Sequence, residues 1–313
     1  MRNSLVKKTF LVIILFTVIS LACDLSFTLA SPTDRAPLPT EIAILATGVP
    51  TQVLASPTSL PATLAVDPTA TALQTSFEGV EVAVDPLSIV LSPSLASGVR
   101  GLPIPPASGE GVAQWDVTPG HIQLKLEGYL LQGKSNEPQI YVYPAQAYAE
   151  LYPAAFESIR RLDNILYVPG GPMLNDQLPA VPFFNAQQLF ASNIQVISFQ
   201  NGQGVRFVTE CAQYAASANN HDLFYHFEGV TRDGAYYIVA ILPINAPMLA
   251  ETSDGGAPLP VGGVPYPYFA DPSADMQLYY RSVLDLLNAT PSEIFTPTLA
   301  QLDALIQSIR ITP

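Results

Sequence analysis

Ile194-Gln195-Val196-Ile197-Ser198-Phe199-Gln200-Asn201-Gly202-Gln203-Gly204-Val205-Arg206-Phe207-Val208-Thr209-Glu210-Cys211 reads as two apolar, β-branched and aromatic runs about a turn dipeptide. Residues 194–199 and 205–211 carry strand patterning. Asn201-Gly202 between them is a pair favoured where both turn residues take positive φ. The device recurs at once. Leu223–Val230 and Tyr236–Leu242 flank Asp233-Gly234. Four successive strands joined by tight turns predict an antiparallel meander, and the rest of the chain is read around it.

Upstream, Val80–Val84 and Leu87–Leu95 have strand character, the second weakened by Pro86 and Pro93. Ser97–Pro119, rich in Gly and Pro and holding the single tryptophan, Trp115, reads as a long loop. In His121-Ile122-Gln123-Leu124-Lys125-Leu126-Glu127 the alternation turns Ile122, Leu124 and Leu126 inward and His121, Gln123, Lys125 and Glu127 to water. Gln139–Tyr143 is a further strand. Residues 144–162 follow a helical period through Tyr148, Leu151, Tyr152, Phe156, Ile159 and Leu162, with Pro153 expected to break it. Residues 168–182 form a second Pro/Gly loop, and 184–190 read as a short helix.

Downstream of the meander, Asp254–Pro267 is a third Gly/Pro loop. A helix near Ala274–Asn288 follows, with Met276, Tyr279, Tyr280, Val283, Leu286 and Leu287 on one face. The last helix is expected to take Thr296 as N-cap and Pro297 in its first turn, and to bury Leu299, Leu302, Leu305, Ile306 and Ile309. Strands, hairpins, then helices is an α+β order: an antiparallel sheet with tandem hairpins, covered by helices on one face.

The chain begins differently. Arg2, Lys7 and Lys8 precede an apolar run from Phe10 to Ala22 that ends at Cys23. A basic start, about a dozen apolar residues and small residues before a break is the layout of a secretory signal, too short for a membrane span of about 20 residues. Ser20-Leu21-Ala22-Cys23 resembles the bacterial lipoprotein signal, in which the cysteine is lipidated and becomes the mature N-terminus. That pattern favours Leu three residues before the cysteine and a small residue two before it, and here Ser20 and Leu21 stand there. The alternatives are ordinary cleavage near Ala30, discarding Cys23, and an uncleaved N-terminal anchor. The expectation is an extracytoplasmic protein held on the lipid bilayer by Cys23, with simple secretion as the alternative.

Residues 31–75 contain seven prolines, twelve Ser/Thr, no aromatic residue and four charges. Such composition buries too little apolar surface to offset its ordering entropy, so residues 24–76 are expected to be a disordered tether and 77–313 a single globular domain. The chain has 313 residues, and from Phe77 onward 9 Lys/Arg stand against 22 Asp/Glu, which accounts for the whole net charge of −13. A field of that sign repels nucleic acid and anionic lipid heads, so nucleic acid is excluded as a partner. With two cysteines, lipidation of Cys23 leaves Cys211 alone, and no disulfide framework holds the domain.

The stretches Gln139-Ile140-Tyr141-Val142-Tyr143-Pro144, Phe199–Phe207 and Leu299–Leu305 resemble an uncharacterised group of lipoproteins from Chloroflexi-type filamentous bacteria. That resemblance would cover most of 77–313 and implies no known activity. The hairpins before a closing helix that ends in Ser308-Ile309-Arg310-Ile311 are also similar in arrangement to PsbP-like domains, which implies a protein-interaction module.

The zinc-protease, nucleophile-elbow and CxxC signatures are missing from the sequence. The strongest polar cluster is Asn219-Asn220-His221-Asp222, then His226 and Glu228 along the next strand, with Arg206 and Glu210 of the first hairpin expected nearby. These side chains suit a ligand or a divalent metal. They equally suit a turn with solvated strand residues. Asp271, Asp275, Asp116 and Glu127 would serve a paired-acid glycosidase only at a defined separation. Tyr266, Tyr268 and Phe269, interleaved with prolines, suit an exposed contact loop, and equally suit packing beneath that loop. The reading is a non-enzymatic module that binds a small molecule or a protein and needs no cofactor. Two alternatives are an accessory of a membrane complex and an envelope-polymer hydrolase using His221, Asp222, His226 and Glu228.

Overall fold

A computed structural model describes residues 78–168, 177–181, 185–254, 256–267 and 274–312. The expected signal with Cys23, the expected tether, Tyr268, Phe269 and Asp271 lie outside the described residues. Ten strands and four helices alternate in the order β1 (Val80–Val84), β2 (Leu87–Leu91), β3 (Gly98–Ile104), β4 (His121–Glu127), β5 (Gln139–Pro144), α1 (Ala145–Leu151), α2 (Pro153–Tyr167), β6 (Gln187–Phe199), β7 (Gly202–Ala212), β8 (Phe224–Thr231), β9 (Tyr236–Pro243), α3 (Met276–Ala289), α4 (Leu299–Ser308) and β10 (Arg310–Ile311). Seven strands form an antiparallel sheet in the order β3-β4-β5-β9-β8-β7-β6, and β1-β2-β10 form a small second one. The class is α+β.

The meander β6–β9 is its most regular part. In the first hairpin Phe199 pairs with Gly202, so the turn is Gln200-Asn201 and neither Asn201 nor Gly202 takes positive φ. This corrects the turn expected at Asn201-Gly202. The Asn201 side chain is used elsewhere: its Oδ1 accepts from the Ile311 N–H (3.0 Å) and its Nδ2 donates to the Ile311 carbonyl (2.6 Å), tying β10 to the hairpin. In the second hairpin Gly234 takes the left-handed region, at φ 71°, where a side chain would be strained, but Asp233 does not, so the expected pair of positive φ values is met at one residue only.

Three further expectations are corrected. Gly98–Ile104 is a strand inside the expected loop, paired with β4 along its whole length, and Pro103 is tolerated because β3 is an edge. Residues 187–190, expected in a helix, begin β6; two register shifts, one of them around Asn193 at φ 52°, let thirteen residues continue one strand. The last helix is capped by Thr298, in a reciprocal capping box with Gln301, rather than by Thr296. The break at Pro153 falls where the periodicity placed it.

β8 is buried along its whole length, which requires cover on both faces of the sheet. On one face Ile140, Tyr225, Phe227, Ile238 and Ala240 pack with α3, α4 and the small sheet. On the other, Tyr143, Phe207, Tyr237, Val239 and Ile241 pack with Tyr148, Ala155 and Leu162 of α1 and α2. A second helical layer thus adds to the cover expected on one face alone. His121, expected in water, is buried on this second face, its ring 4.5 Å from that of Tyr143.

Candidate functional site

Side chains along a strand alternate between faces, and the register between strands decides which of them meet. Phe207 pairs with His226, so His226 and Glu228 share the α1/α2 face with Phe207 and Thr209. Arg206 and Glu210 point through the opposite face. The sheet therefore separates residues the sequence grouped together. Arg206 bonds Asp303 of α4 (Nε–Oδ1 3.1 Å), Gln195 (2.8 Å) and the Asn193 carbonyl, while the Tyr225 hydroxyl donates to the same Asp303 Oδ1 (2.9 Å). This is a buried brace between sheet and helix.

Glu228 is fully buried and accepts four hydrogen bonds. Its Oε1 takes His226 Nε2 (2.9 Å) and the Val181 N–H (2.8 Å); its Oε2 takes the Ser158 hydroxyl (2.7 Å) and the Tyr237 hydroxyl. A carboxylate only accepts, so the imidazole proton toward it sits on Nε2. Burial alone would push this carboxyl up. The bonds from His226, Tyr237 and Ser158 outweigh it and hold Glu228 below the usual glutamate range. Beside the pair lies a cavity of about 230 Å³, walled by Phe207, Thr209, Cys211, Phe224 and His226. Burial pushes the Cys211 thiol up to about 12, so it is a poor nucleophile at neutral pH.

His221 and Asp222 stand apart from this network, in the loop before β8. His221 Nδ1 lies 2.8 Å from Asp222 Oδ1 at the surface. Asp222 Oδ2 accepts from Asn219 Nδ2 (3.0 Å), and Asn219 also gives its backbone N–H and its amide to Glu210 (3.0 and 2.8 Å). Burial pushes Glu210 well above the usual glutamate range, with the Asn219 N–H opposing and Asp222 adding to the rise. The four residues expected at one site thus form two pairs. Among the described residues no group of three or more His, Cys, Asp or Glu is placed to hold a metal ion. Of the paired-acid candidates, Asp275 caps α3 by accepting from the Leu278 N–H (3.0 Å), and Glu127 pairs with Arg100 (3.0 Å).

The contact loop is where the structure adds most. Tyr266 is half-buried. Its hydroxyl donates to the Ala215 carbonyl (2.5 Å), Tyr280 donates to the Ala216 carbonyl (2.8 Å), and the Tyr279 hydroxyl accepts from the Ala218 N–H (2.9 Å). Three tyrosines thereby fasten consecutive stretches of the 215–218 backbone, which links β7 to β8. The Tyr266 and Tyr279 rings meet at 87° with centroids 5.1 Å apart. Between this strap and the 253–266 loop runs a groove of about 570 Å³, lined by Tyr214, Ser217, Asp254, Leu259, Tyr266 and Tyr279 among others. Tyr214 is 64% exposed. Burial raises the Tyr279 hydroxyl to about 12, so it stays protonated at neutral pH.

Sequence reasoning singled out Tyr266 but took Tyr279 and Tyr280 as helix core and passed over Tyr214. The available signal was adjacency: two successive tyrosines on an apolar helix face carry hydroxyls that need partners when buried. Comparison with protein-family models, with curated proteins and with solved structures yields no match to this chain.

Proposed function

We propose that this chain is a membrane-anchored, extracytoplasmic binding module, with the tyrosine-lined groove as its ligand site. The observation that carries the reading is the strap. The hydroxyls of Tyr266, Tyr279 and Tyr280 are spent on the groove's own backbone wall, so the rings stand fixed before a ligand arrives. Pre-organised aromatic surface loses little conformational entropy on binding. The loop of Gly and Pro residues that forms the other wall is the kind of segment that carries recognition on a rigid sheet.

A thermal-unfolding screen of the full chain against neutral sugars, organic cations, organic anions and short peptides tests this. A ligand at about 100 times its Kd adds roughly 2.7 kcal/mol of stability. The expected result is a shift for one class that is lost in Tyr214→Ala. No shift with any class, or a shift that Tyr214→Ala leaves untouched, rejects the groove. The anchor is tested separately: Cys23→Ser is expected to abolish lipid labelling and release the chain from the membrane fraction. Membrane retention and lipid label unchanged in that variant reject the lipid anchor.

The hydrolase alternative rests on the His226–Glu228 pair beside its cavity. It requires an activity on envelope polymers that His226→Ala abolishes while the fold persists.

A further inference from the structure

We propose that the groove takes a small organic cation, of the quaternary or alkylated ammonium class, bearing an apolar chain. The inference rests on the groove being the ligand site and names what that site selects.

With its hydroxyl turned to the strap, the half-buried Tyr266 borders the groove with its ring, and the buried Tyr279 packs behind it. An aromatic face carries the negative lobe of its quadrupole and attracts cations, best those that shed water readily. Tyr266 and Tyr279 meet edge to face, so the aromatic surface that borders the groove comes from the half-buried Tyr266 and the exposed ring of Tyr214.

Charge points the same way. Among the described residues the groove lining contains Asp254 and no Lys, Arg or His. The chain as a whole carries −13, all of it in excess acid from Phe77 onward. A field of that sign disfavours an anion in this groove and steers a cation in. Beyond the tyrosines the wall turns apolar at Leu259, Val264 and Pro265. A cavity of about 570 Å³ is larger than a bare ammonium head needs, so the remaining length accommodates an aliphatic chain.

The test is calorimetric titration of the full chain with choline, with its uncharged isostere in which carbon replaces the quaternary nitrogen, with butyltrimethylammonium and with cellobiose. Choline is expected to bind roughly tenfold or more tightly than the isostere, and the butyl compound more tightly than choline. Tyr214→Leu, at an exposed position, is expected to weaken choline by roughly 3- to 30-fold. Asp254→Asn is expected to weaken it by roughly 2- to 5-fold, an effect that added salt erases. Both variants are expected to unfold at the wild-type temperature.

Equal binding of choline and the isostere overturns the cation assignment. Binding of cellobiose that Tyr214→Leu removes, with none of choline, overturns it while leaving the groove as the ligand site. Binding of none of the four probes overturns the cation assignment, and the wider screen then decides whether the groove is a site at all.

Discussion

Two glutamates on the adjacent strands β7 and β8 lie at zero exposure on opposite faces of the same sheet. Glu228 faces α2 and is met by an imidazole N–H, a backbone N–H and two hydroxyls, enough to keep it ionised against burial. Glu210 faces α3 and is met by the backbone N–H and the amide of one asparagine, with Asp222 close by, and burial wins. The difference teaches that burial by itself does not set the charge of a carboxyl; the donors the fold supplies do. It also separates roles. The Glu228 side locks strand, helix and the 177–181 segment together, while the Glu210 side builds the loop behind the groove.

The largest effect should come from Glu228→Ala. It leaves His226, Ser158, Tyr237 and the Val181 N–H without their common acceptor, and breaking such a buried arrangement costs roughly 3–5 kcal/mol. Urea unfolding of the full chain measures it; a loss under about 1 kcal/mol would mean the network is not formed in solution.

The pH profile sharpens the contrast, because the two groups act with opposite sign. Glu228 is lowered, so its stabilisation is present above the ordinary glutamate pKa and is lost as pH falls through the folded value. Glu210 is raised, so its contribution is full below the ordinary value and is lost as pH rises through the folded one. The slope from one fully titrating group is at most about 1.4 kcal/mol per pH unit. Glu210→Gln is expected to remove a decline of stability on the neutral side while leaving the acid limb in place; Glu228→Gln should remove the acid limb instead. Urea midpoints across pH distinguish them, and an unchanged neutral-side slope in Glu210→Gln would mean that Glu210 is ionised.

The smallest effects belong to the strap. Tyr279→Phe leaves the Ala218 N–H without its acceptor and should cost roughly 1–3 kcal/mol. Tyr280→Phe removes a donor from the Ala216 carbonyl and should cost about 0.5–1.5 kcal/mol. Hydrogen exchange of the Ala218 amide checks the first directly: its protection should fall in Tyr279→Phe and hold in Tyr280→Phe.

Much of the fold was legible. The alternation in 194–211 and 223–242, the strand at 121–127, the break at Pro153 and both closing helices follow from local periodicity and turn chemistry, which act over a few residues. The strand at 98–104 was not, because Gly98, Gly101 and Pro103 argue against a strand everywhere except at an edge, and only pairing with β4 makes it one. The site was legible in part. Tyr266 stood out among its prolines, and His226 and Glu228 did come together.

By itself, then, the sequence determined the α+β class, the four-stranded meander and the acidity of the chain. Only the tertiary structure decided that Arg206 and Glu210 lie on the far side of the sheet from His226 and Glu228, and that Tyr214, Asp254, Leu259 and Tyr279 share one groove. The reason is physical. A period of two fixes which residues of a strand share a face, but which face meets which helix, and which loops close on each other, depends on register and packing between segments far apart along the chain.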